Sequence, residues 1–558
     1  MESSSSIKEI PHMPPSRFSD DAQDSRVEAQ IDKHSWQFWL VFCSLCLLAF
    51  AAALEGSVVT AALPTVAQTL GPESSVDRVW ITNSFMLAHT VVQPPIAQLC
   101  DIFGRRTLLV TIALFAIGSG IAGGSNDTAT FITGRIVQGL GSGGIYMLVD
   151  LVVCDLVPLR DRGKYLGIVL SSTAFGTTLG PMVAVELADV NWRLTFYVSL
   201  PASGVALVVS WFFLDITYEK LGWREALRKI DWIGNTLFIA SIASILCGLA
   251  SGGIINPWNS NRILLPLTLG VAGWIAFHLF EASPWCHEPS VPYRIFASRT
   301  SFVGFILAFI AAMVLQWTLN FLPVYFQGVK ATSPLMSGVN TLPYNAMLVP
   351  STILAGIVMS KFGAYSLFQS VGFALMAIGV GLLSILDSDS HTALWTVFQL
   401  VVAVGQGLAA TTILPAIQTA LYSLDVASVT GMYAFARSLG LVLGVRIPTL
   451  ILDAFFVKNV HHISNAELRG KLDGVISYAD VNKIFSMDLS AKTKLEVTSV
   501  YEVSLQMVWR IAIAFAVLGF IISFGVRRLD LGEERSPEIR LGEKHGNENS
   551  VRYNGYEV

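Results

Sequence analysis

Long apolar segments recur from residue 37 to residue 526, and they constrain the fold more than any other feature of the chain. Of the 558 residues, 53% are hydrophobic and only 14% are charged, whereas a soluble protein carries about 25% charged residues. So little polar surface cannot cover a set of soluble domains, and a formal net charge of −4 provides no basic surface for a nucleic acid. The composition therefore predicts a polytopic protein embedded in the lipid bilayer, with no nucleic-acid partner.

Fourteen apolar windows are long enough to cross the bilayer, since a membrane-spanning helix needs about 20 such residues. The predicted fold class is an all-α membrane protein with fourteen transmembrane helices. In chain order, the predicted spans are residues 37–62, 80–99, 107–124, 129–153, 165–187, 196–214, 231–250, 262–281, 301–325, 340–360, 366–386, 392–420, 428–456 and 507–526.

Two pairs of short segments indicate an internal repeat. Residues Ala97–Gly104 and Gly356–Gly363 both follow the pattern small-x-x-x-polar-x-Phe-Gly, and both end a predicted span on the same side of the membrane. Gly139–Gly141 resembles Gly405–Gly407 in the same way. We therefore predict two six-helix halves plus two extra central helices, with a site where the halves meet, which is the general plan of secondary transporters.

Basic residues are distributed unevenly between the two sides of the predicted bundle. Twelve of them, including Arg105, Arg160 and Arg294, lie in the short connections on one side, whereas the opposite short connections hold four. The richer side is predicted to be cytosolic, which places both termini in the cytosol. The predicted boundaries are a disordered cytosolic N-terminal tail at 1–35, an N-terminal half at 36–214, a linker helix pair at 215–285, a C-terminal half at 286–526 with an external loop at 457–505, and a cytosolic C-terminal tail at 527–558.

The segment from Asp101 to Arg106 joins the second and third predicted spans. Gly104 allows a tight reversal, Asp101 can accept backbone N–H groups at a helix start, and Arg105 and Arg106 hold the cytosolic face. A simple positively charged turn would explain this pattern. The alternative is a conformational latch whose ion pairs differ between two states of the protein.

Several segments, in order along the chain, carry a family resemblance. Ala97–Arg106 resembles the loop signature G-x-L-a-D-r-x-G-R-R of the major facilitator superfamily, with alanine in place of the first glycine. Leu54–Pro64 resembles the first-span motif L-D-x-T-I-V-x-x-A-L-P of the fourteen-span drug:proton antiporter family, with glutamate in place of aspartate. Arg135–Gly141 is similar to that family's R-x-x-Q-G-x-G, and Gly176–Pro181 to its fifth-span antiporter motif. The resemblance is to a fungal-type efflux pump.

Glu55 and Arg135 are ionisable residues inside predicted spans, where a charge is expensive and usually faces the bundle interior. Counting about 1.5 Å per residue along their spans places them within roughly one helical turn of the same depth. Burial favours a neutral carboxyl, whereas a nearby guanidinium favours the charged form. We predict that Glu55 carries the coupling proton and that Arg135 tunes it, with a static ion pair as the alternative.

The segment Gly176-x-x-x-Gly180-Pro181 permits close helix approach and a bend at the proline. Ordinary small-residue packing would account for it. The family resemblance implies instead a hinge and seal in the fifth span, associated with exporters.

Polar and aromatic side chains at membrane depth suit an amphiphilic organic substrate, although many such groups make hydrogen bonds between helices. The predicted cavity residues are Asn83, His89, Gln138, Gln316, Trp317, Asn320, Tyr325 and Gln327. Gly139–Gly144 matches G-x-G-x-x-G but follows no strand, so no nucleotide cofactor is predicted. No metal ligand set is predicted either.

The sequence and the resemblance together predict proton-coupled efflux of a small organic compound by alternating access, with no enzyme activity. The predicted protein is a plasma-membrane monomer, and its partners are the small-molecule substrate, protons and lipid. Asn126 begins the single N-x-[ST] sequon and predicts external glycosylation. One alternative is a vacuolar transporter of basic amino acids, which would need cavity carboxylates such as Asp150. The other is a membrane sensor that uses the transporter fold without transport.

Overall fold

The computed structural model describes residues 35–71, 75–214, 222–253, 255–421, 425–465, 468–469 and 490–527. Within these ranges the chain is almost entirely helical, and no β-strand occurs in them. The predicted tails therefore lie outside the described residues, apart from Ser35 and Arg527.

The N-terminal half begins with one long helix and continues through seven more helices in its described residues. They are α1 Trp36–Leu70, α2 Ser75–Val91, α3 Gln93–Phe103, α4 Thr107–Gly124, α5 Thr128–Leu156, α6 Leu159–Asn191, α7 Leu194–Tyr197 and α8 Ser199–Phe213.

The linker and the C-terminal half contribute the remaining helices of the described ranges. They are α9 Trp223–Lys229, α10 Trp232–Ser251, α11 Asn261–Glu281, α12 Arg299–Gly328, α13 Pro334–Phe362, α14 Tyr365–Leu383, α15 Thr392–Thr419, α16 Val426–Asn459 and α17 Ala491–Ser523. Short 3₁₀ turns occupy Tyr293–Phe296 and Val460–His462.

Thirteen helical segments among the described residues are long and apolar enough to cross a membrane. The remaining predicted span, 80–99, falls on α2 and α3, which are 17 and 11 residues long. They are separated at Val92, just before a Pro94-Pro95 pair that cannot donate backbone hydrogen bonds. The all-α membrane fold is confirmed, and the count of fourteen spans stays a prediction.

The last helix differs from its predicted position. α17 begins at Ala491, whereas the apolar window begins at 507, so part of the predicted external loop 457–505 is helical. Ser490 caps the helix by accepting a hydrogen bond from the amide of Thr493. Val497, Val500 and Tyr501 are buried at helical spacing, so this polar stretch packs through one face, which a hydropathy window does not detect.

Two glycines end the segments that carry the predicted repeat. Gly104 and Gly363 end the two repeated segments, and both have positive φ, 76° and 63°. Residues with a Cβ rarely adopt this left-handed conformation, so glycine is the residue that allows each chain reversal.

The two halves touch at one end of the bundle, called the arginine-rich end because Arg105, Arg160 and Arg294 lie there. Arg162 Nη1 donates to Gln418 Oε1 at 2.9 Å, and Ser360 Oγ donates to Asp161 Oδ1 at 2.5 Å. Both contacts join the first turn of α6 to the C-terminal half. Deeper in the bundle, α6 continues against α13, with Ser171 Oγ 3.2 Å from Thr352 Oγ1.

Candidate functional site

Glu55 on α1 and Arg135 on α5 form a buried ion pair inside the N-terminal half. Glu55 Oε1 lies 3.6 Å from Arg135 Nη1, and the two side chains are 0% and 1% exposed. This separation is too long for a hydrogen bond. Neither carboxylate oxygen of Glu55 has a hydrogen-bond partner within 3.5 Å among the described residues, and the side chains of Gln138 and Ser199 interact with it only at longer range. The structure thus brings together the two residues that the sequence placed at similar depth.

The guanidinium of Arg135 is held more firmly than the carboxylate it faces. Its Nη1 donates to Gln138 Oε1 at 2.6 Å, and Gln138 Nε2 donates to Ser119 Oγ at 2.8 Å. The guanidinium carbon also lies 4.2 Å from the ring centre of Phe85, a cation–π distance. Arg135 is therefore held by a hydrogen bond and an aromatic ring, whereas Glu55 makes no hydrogen bond of 3.5 Å or less among the described residues.

The glycine motif of α6 packs directly on the helix that carries Glu55. A Cβ at Gly176 would collide with the carbonyl oxygen of Phe50, and a Cβ at Gly180 would collide with Ser57 Oγ. These contacts flank Glu55 along α1. Pro181 lies inside α6, so the predicted hinge residues pack against the helix that carries the predicted proton site.

The predicted latch motif lies at the arginine-rich end, where Arg105 pairs with Asp155. Arg105 Nε donates to Asp155 Oδ2 at 2.5 Å, and Nη2 donates to Asp155 Oδ1 at 3.2 Å. Asp101 is farther from Arg105, at 3.8 Å. The expectation that Asp101 begins a helix is wrong, because α3 continues to Phe103 and the next helix begins at Thr107. Arg106 immediately precedes that helix.

A second ion pair, which the sequence analysis missed, joins the two halves. Asp150 on α5 and Arg437 on α16 lie 3.5 Å apart (Oδ2 to Nη1), with side chains 4% and 14% exposed. The guanidinium carbon lies 5.5 Å from the ring centre of Tyr146 and 5.7 Å from that of Tyr433. An arginine within an apolar span is costly enough to indicate a partner or a function, and that signal was present in span 13.

Two small cavities border this pair. One is lined by Tyr146, Val169 and Thr173 together with the pair. The other is lined by Thr411 and Tyr433 together with the pair. Both cavities thus lie where α5 and α6 of the first half meet helices of the second half.

Four of the eight predicted cavity residues have side-chain hydrogen bonds shorter than 3.0 Å within the protein. Gln138 belongs to the Arg135 network described above. Asn83 and Asn320 each donate to a carbonyl one turn earlier in their own helix, at 2.9 and 2.7 Å. The hydroxyl of Tyr325 donates to the carbonyl oxygen of Asp387 at 2.9 Å.

The other four predicted cavity residues are dispersed. His89 Nδ1 lies 3.3 Å from Ser142 Oγ, and Trp317 is fully buried, 5.9 Å from the ring centre of Phe515. Gln327 Nε2 donates to a serine hydroxyl at 3.3 Å, and the carbonyl of Gln316 accepts from Asn320. None of the eight lines the two cavities beside Asp150, and their contact with a substrate stays a prediction.

Arg446 has a structural role that the sequence did not reveal. Its Nε donates to the carbonyl oxygen of Leu249 at 2.7 Å, and its Nη2 donates to that of Gly252. These carbonyls end α10, where a helix leaves its last carbonyls without partners and favours a positive charge. Arg446 therefore attaches the linker pair to the C-terminal half.

Asn126 lies in the exposed turn between α4 and α5, where its Oδ1 accepts from Arg193 Nη2 at 3.0 Å. Its amide nitrogen is the atom that glycosylation would use, and the modification stays a prediction.

One group of side chains has the composition of a metal site. Ligand atoms of Asp231, Glu281 and Cys286 lie within 4.8 Å of one another. These groups already bond within the protein: Asp231 accepts from the amide of Gly234, and Glu281 from that of Ser290. Burial, with Asp231 and Glu281 nearby, raises the pKa of the Cys286 thiol to about 12, which opposes the thiolate that a metal requires.

Comparison with known proteins adds independent evidence. The sequence profile of the Major Facilitator Superfamily matches residues 45–445. The MFS efflux transporter aclA of Aspergillus oryzae is 43% identical over 514 residues, covering 91% of this chain and 93% of that protein. The MFS-type efflux pump LUC4 of a Fusarium species is 40% identical over 522 residues, covering 93% and 92%.

A solved structure shows the same fold at low identity. The human organic anion transporter MFSD10 superposes with a TM-score of 0.54 and 13% identity, over 88% of this chain and 100% of that chain. The predicted family resemblance is confirmed by the profile and the relatives. The chain belongs to the major facilitator superfamily and is a multi-pass membrane transporter of small molecules rather than an enzyme.

Proposed function

We propose that this transporter exports a small organic compound, such as a toxin, a drug or a secondary metabolite, in exchange for protons. Two relatives that it matches over nearly their full length are named as an efflux transporter and an efflux pump. The observation that carries the proton coupling is the Glu55 carboxylate, buried beside Arg135 with no hydrogen bond of 3.5 Å or less among the described residues. Such a group can take up or release a proton as its surroundings change.

The position of Glu55 connects protonation to helix movement. Protonation removes the counter-ion of Arg135, which changes the force between α1 and α5. Because Gly180 leaves no space between α6 and Ser57 of α1, a displacement of α1 acts directly on α6. The same α6 contacts the C-terminal half through Arg162 and Ser171. The proton site is thus one helix away from the interface that must open and close.

The contacts between the halves indicate how access would alternate. The bonds of Arg162 and Asp161 close the arginine-rich end. We place this end in the cytosol because basic residues favour the cytosolic side, so the structure is closed to the cytosol. Transport then requires these bonds to break while the halves approach at the opposite end. We further propose a monomer in the plasma membrane with both termini cytosolic, the vacuolar membrane being the alternative location.

No specific observation favours the other two functions. A vacuolar transporter of basic amino acids needs an available carboxylate, yet the charge of Asp150 is matched by Arg437. A sensor that does not transport would have no need of an unbonded carboxylate beside a fixed arginine within the bilayer.

Expression of the fluorescently tagged protein in a yeast strain that lacks its own drug-efflux pumps tests the proposal. Three probes are supplied separately: the uncharged imide cycloheximide, the cation ethidium and the anion fluorescein. We expect lower cellular accumulation of at least one probe, and we expect a protonophore or Glu55→Gln to abolish the difference. Glu186→Gln, an exposed substitution on α6, serves as the matched control. Export that continues unchanged in Glu55→Gln cells would refute the coupling assignment.

A further inference from the structure

The ion pair between Asp150 and Arg437 differs from the Glu55–Arg135 pair in its location. It joins α5 of one half to α16 of the other, and it borders both small cavities between the halves. Arg437 Nη1 is buried and makes no hydrogen bond among the described residues, since 3.5 Å is an ion-pair distance only. The pair is therefore in contact but incompletely bonded.

Separation of the halves would leave two opposite charges without partners. A buried ion that loses its partner is strongly destabilised, so the separated state needs another group to satisfy Asp150 and Arg437. A ligand that enters between the halves meets both charges at once. An anion would satisfy only Arg437, and a cation would satisfy only Asp150.

The side chains that line the cavities indicate the polarity of the remainder of the ligand. Leu170 lines both cavities, with Leu166 and Leu414 on one side and Val169 on the other. Tyr146 and Tyr433 add aromatic surface beside the guanidinium. These surfaces fit an apolar body next to one polar group.

We propose that Asp150 and Arg437 together bind the transported compound and select molecules without net charge that carry a hydrogen-bond donor and an acceptor side by side on an apolar body. An amide, an imide or a hydroxy-ketone has this arrangement: its N–H or O–H donates to Asp150, and its carbonyl accepts from Arg437. Both side chains remain charged and bonded while the halves are apart.

Glu55 and Arg135 cannot serve this purpose in the described arrangement. Their side chains are 0% and 1% exposed, and both belong to the N-terminal half. Phe85 and Phe196 lie against the guanidinium of Arg135 and separate it from a ligand. In this proposal the Glu55–Arg135 pair carries the proton, and the Asp150–Arg437 pair binds the compound.

Binding of cycloheximide, ethidium and fluorescein to the purified full-length protein, measured by equilibrium dialysis, tests the assignment. We expect the unsubstituted protein to bind cycloheximide most tightly. Asp150→Asn leaves one positive charge and should change the preference to fluorescein, whereas Arg437→Gln leaves one negative charge and should change it to ethidium. Each substitution should change the ratio of the probe affinities by about tenfold or more, as expected for one hydrogen bond to a charged group.

Asp453→Asn is the matched control, because Asp453 lies on the same helix as Arg437 and lines neither cavity. It should leave the order of preference unchanged. The double variant Asp150→Asn/Arg437→Gln removes both charges and should lose the charge preference, which keeps the test valid if a single variant does not fold. The inference would be overturned if all variants kept the same order of probe preference. It would also be overturned if none of the proteins bound any probe.

The inference rests on the proposed function, but the two can fail separately. Binding needs no proton gradient, so a charge-dependent change in binding without proton-dependent export would refute the coupling and keep the ligand site.

Discussion

The two buried ion pairs have the same chemistry and almost the same separation, 3.6 Å for Glu55–Arg135 and 3.5 Å for Asp150–Arg437. They differ in what they join. The first connects two helices of one half, and the second connects the two halves. In a transporter whose halves move against each other, the first pair can stay assembled throughout the cycle, whereas the second must separate. We therefore propose that position relative to the moving interface, more than residue type, distinguishes the proton site from the ligand site.

The surroundings of each pair support this difference. Arg135 is fixed by Gln138 and by an aromatic ring, so its charge stays in one place as Glu55 titrates. Arg437 lies beside two cavities. Each arginine has one guanidinium nitrogen without a hydrogen bond among the described residues, so it is the neighbouring cavities that suit Arg437 to recognition.

The largest effect is expected from damage to the packing around the first pair. Gly180→Leu places a side chain where Ser57 and the carbonyl of Leu54 already lie, which pushes α1 and Glu55 away from α6. We expect proton-driven efflux to fall to background while the tagged protein remains in the membrane. Efflux assays with quantified fluorescence check this outcome.

Gly204→Leu on α8 is the control for that experiment, because a Cβ there meets no atom within 4 Å. Equal loss of transport in both variants would show that α6 packing has no special part in coupling.

Substitution of either arginine should have an intermediate effect on transport, and the two effects should differ in kind. Arg135→Gln removes the charge that opposes protonation of Glu55, so the pH profile of transport should move to higher pH with the order of probe preference unchanged. Arg437→Gln should change the probe preference and leave the pH profile in place. Transport measured over a pH series with all three probes tests this double dissociation. Identical changes in both variants would remove the distinction between the pairs.

The smallest effect on transport is expected from Arg446→Gln, which removes two hydrogen bonds to the end of α10. Hydrogen bonds from a charged group contribute about 1.5–3 kcal/mol each, so the melting temperature of the purified protein should fall. The transport rate per folded molecule should change little. A selective loss of transport at unchanged stability would place the linker pair in the mechanism.

Much of this organisation could be predicted from the sequence, for identifiable reasons. Apolar length alone indicates the helices, and Glu55 and Arg135 stand out because charges are rare within the bilayer. The tight reversal predicted at Gly104 agrees with the positive φ of that residue. These signals are local, so one sequence suffices to find them.

The remainder depends on contacts between distant parts of the chain. The partners Asp150 and Arg437 lie in different halves, and no local pattern links them. The partner of Arg105 was likewise not predicted, since Asp155 lies 50 residues further along the chain. The early start of α17 arises because one face of a polar segment packs against the bundle, which mean hydropathy does not register.

Transport by purified protein in liposomes tests the central claim, the coupling role of Glu55, most directly. An imposed pH gradient measures proton-driven accumulation of a probe, and exchange of labelled for unlabelled probe without a gradient measures movement of the halves alone. The account predicts that Glu55→Gln loses accumulation and keeps exchange, while Glu186→Gln keeps both. Accumulation by Glu55→Gln at the rate of the unsubstituted protein would contradict it.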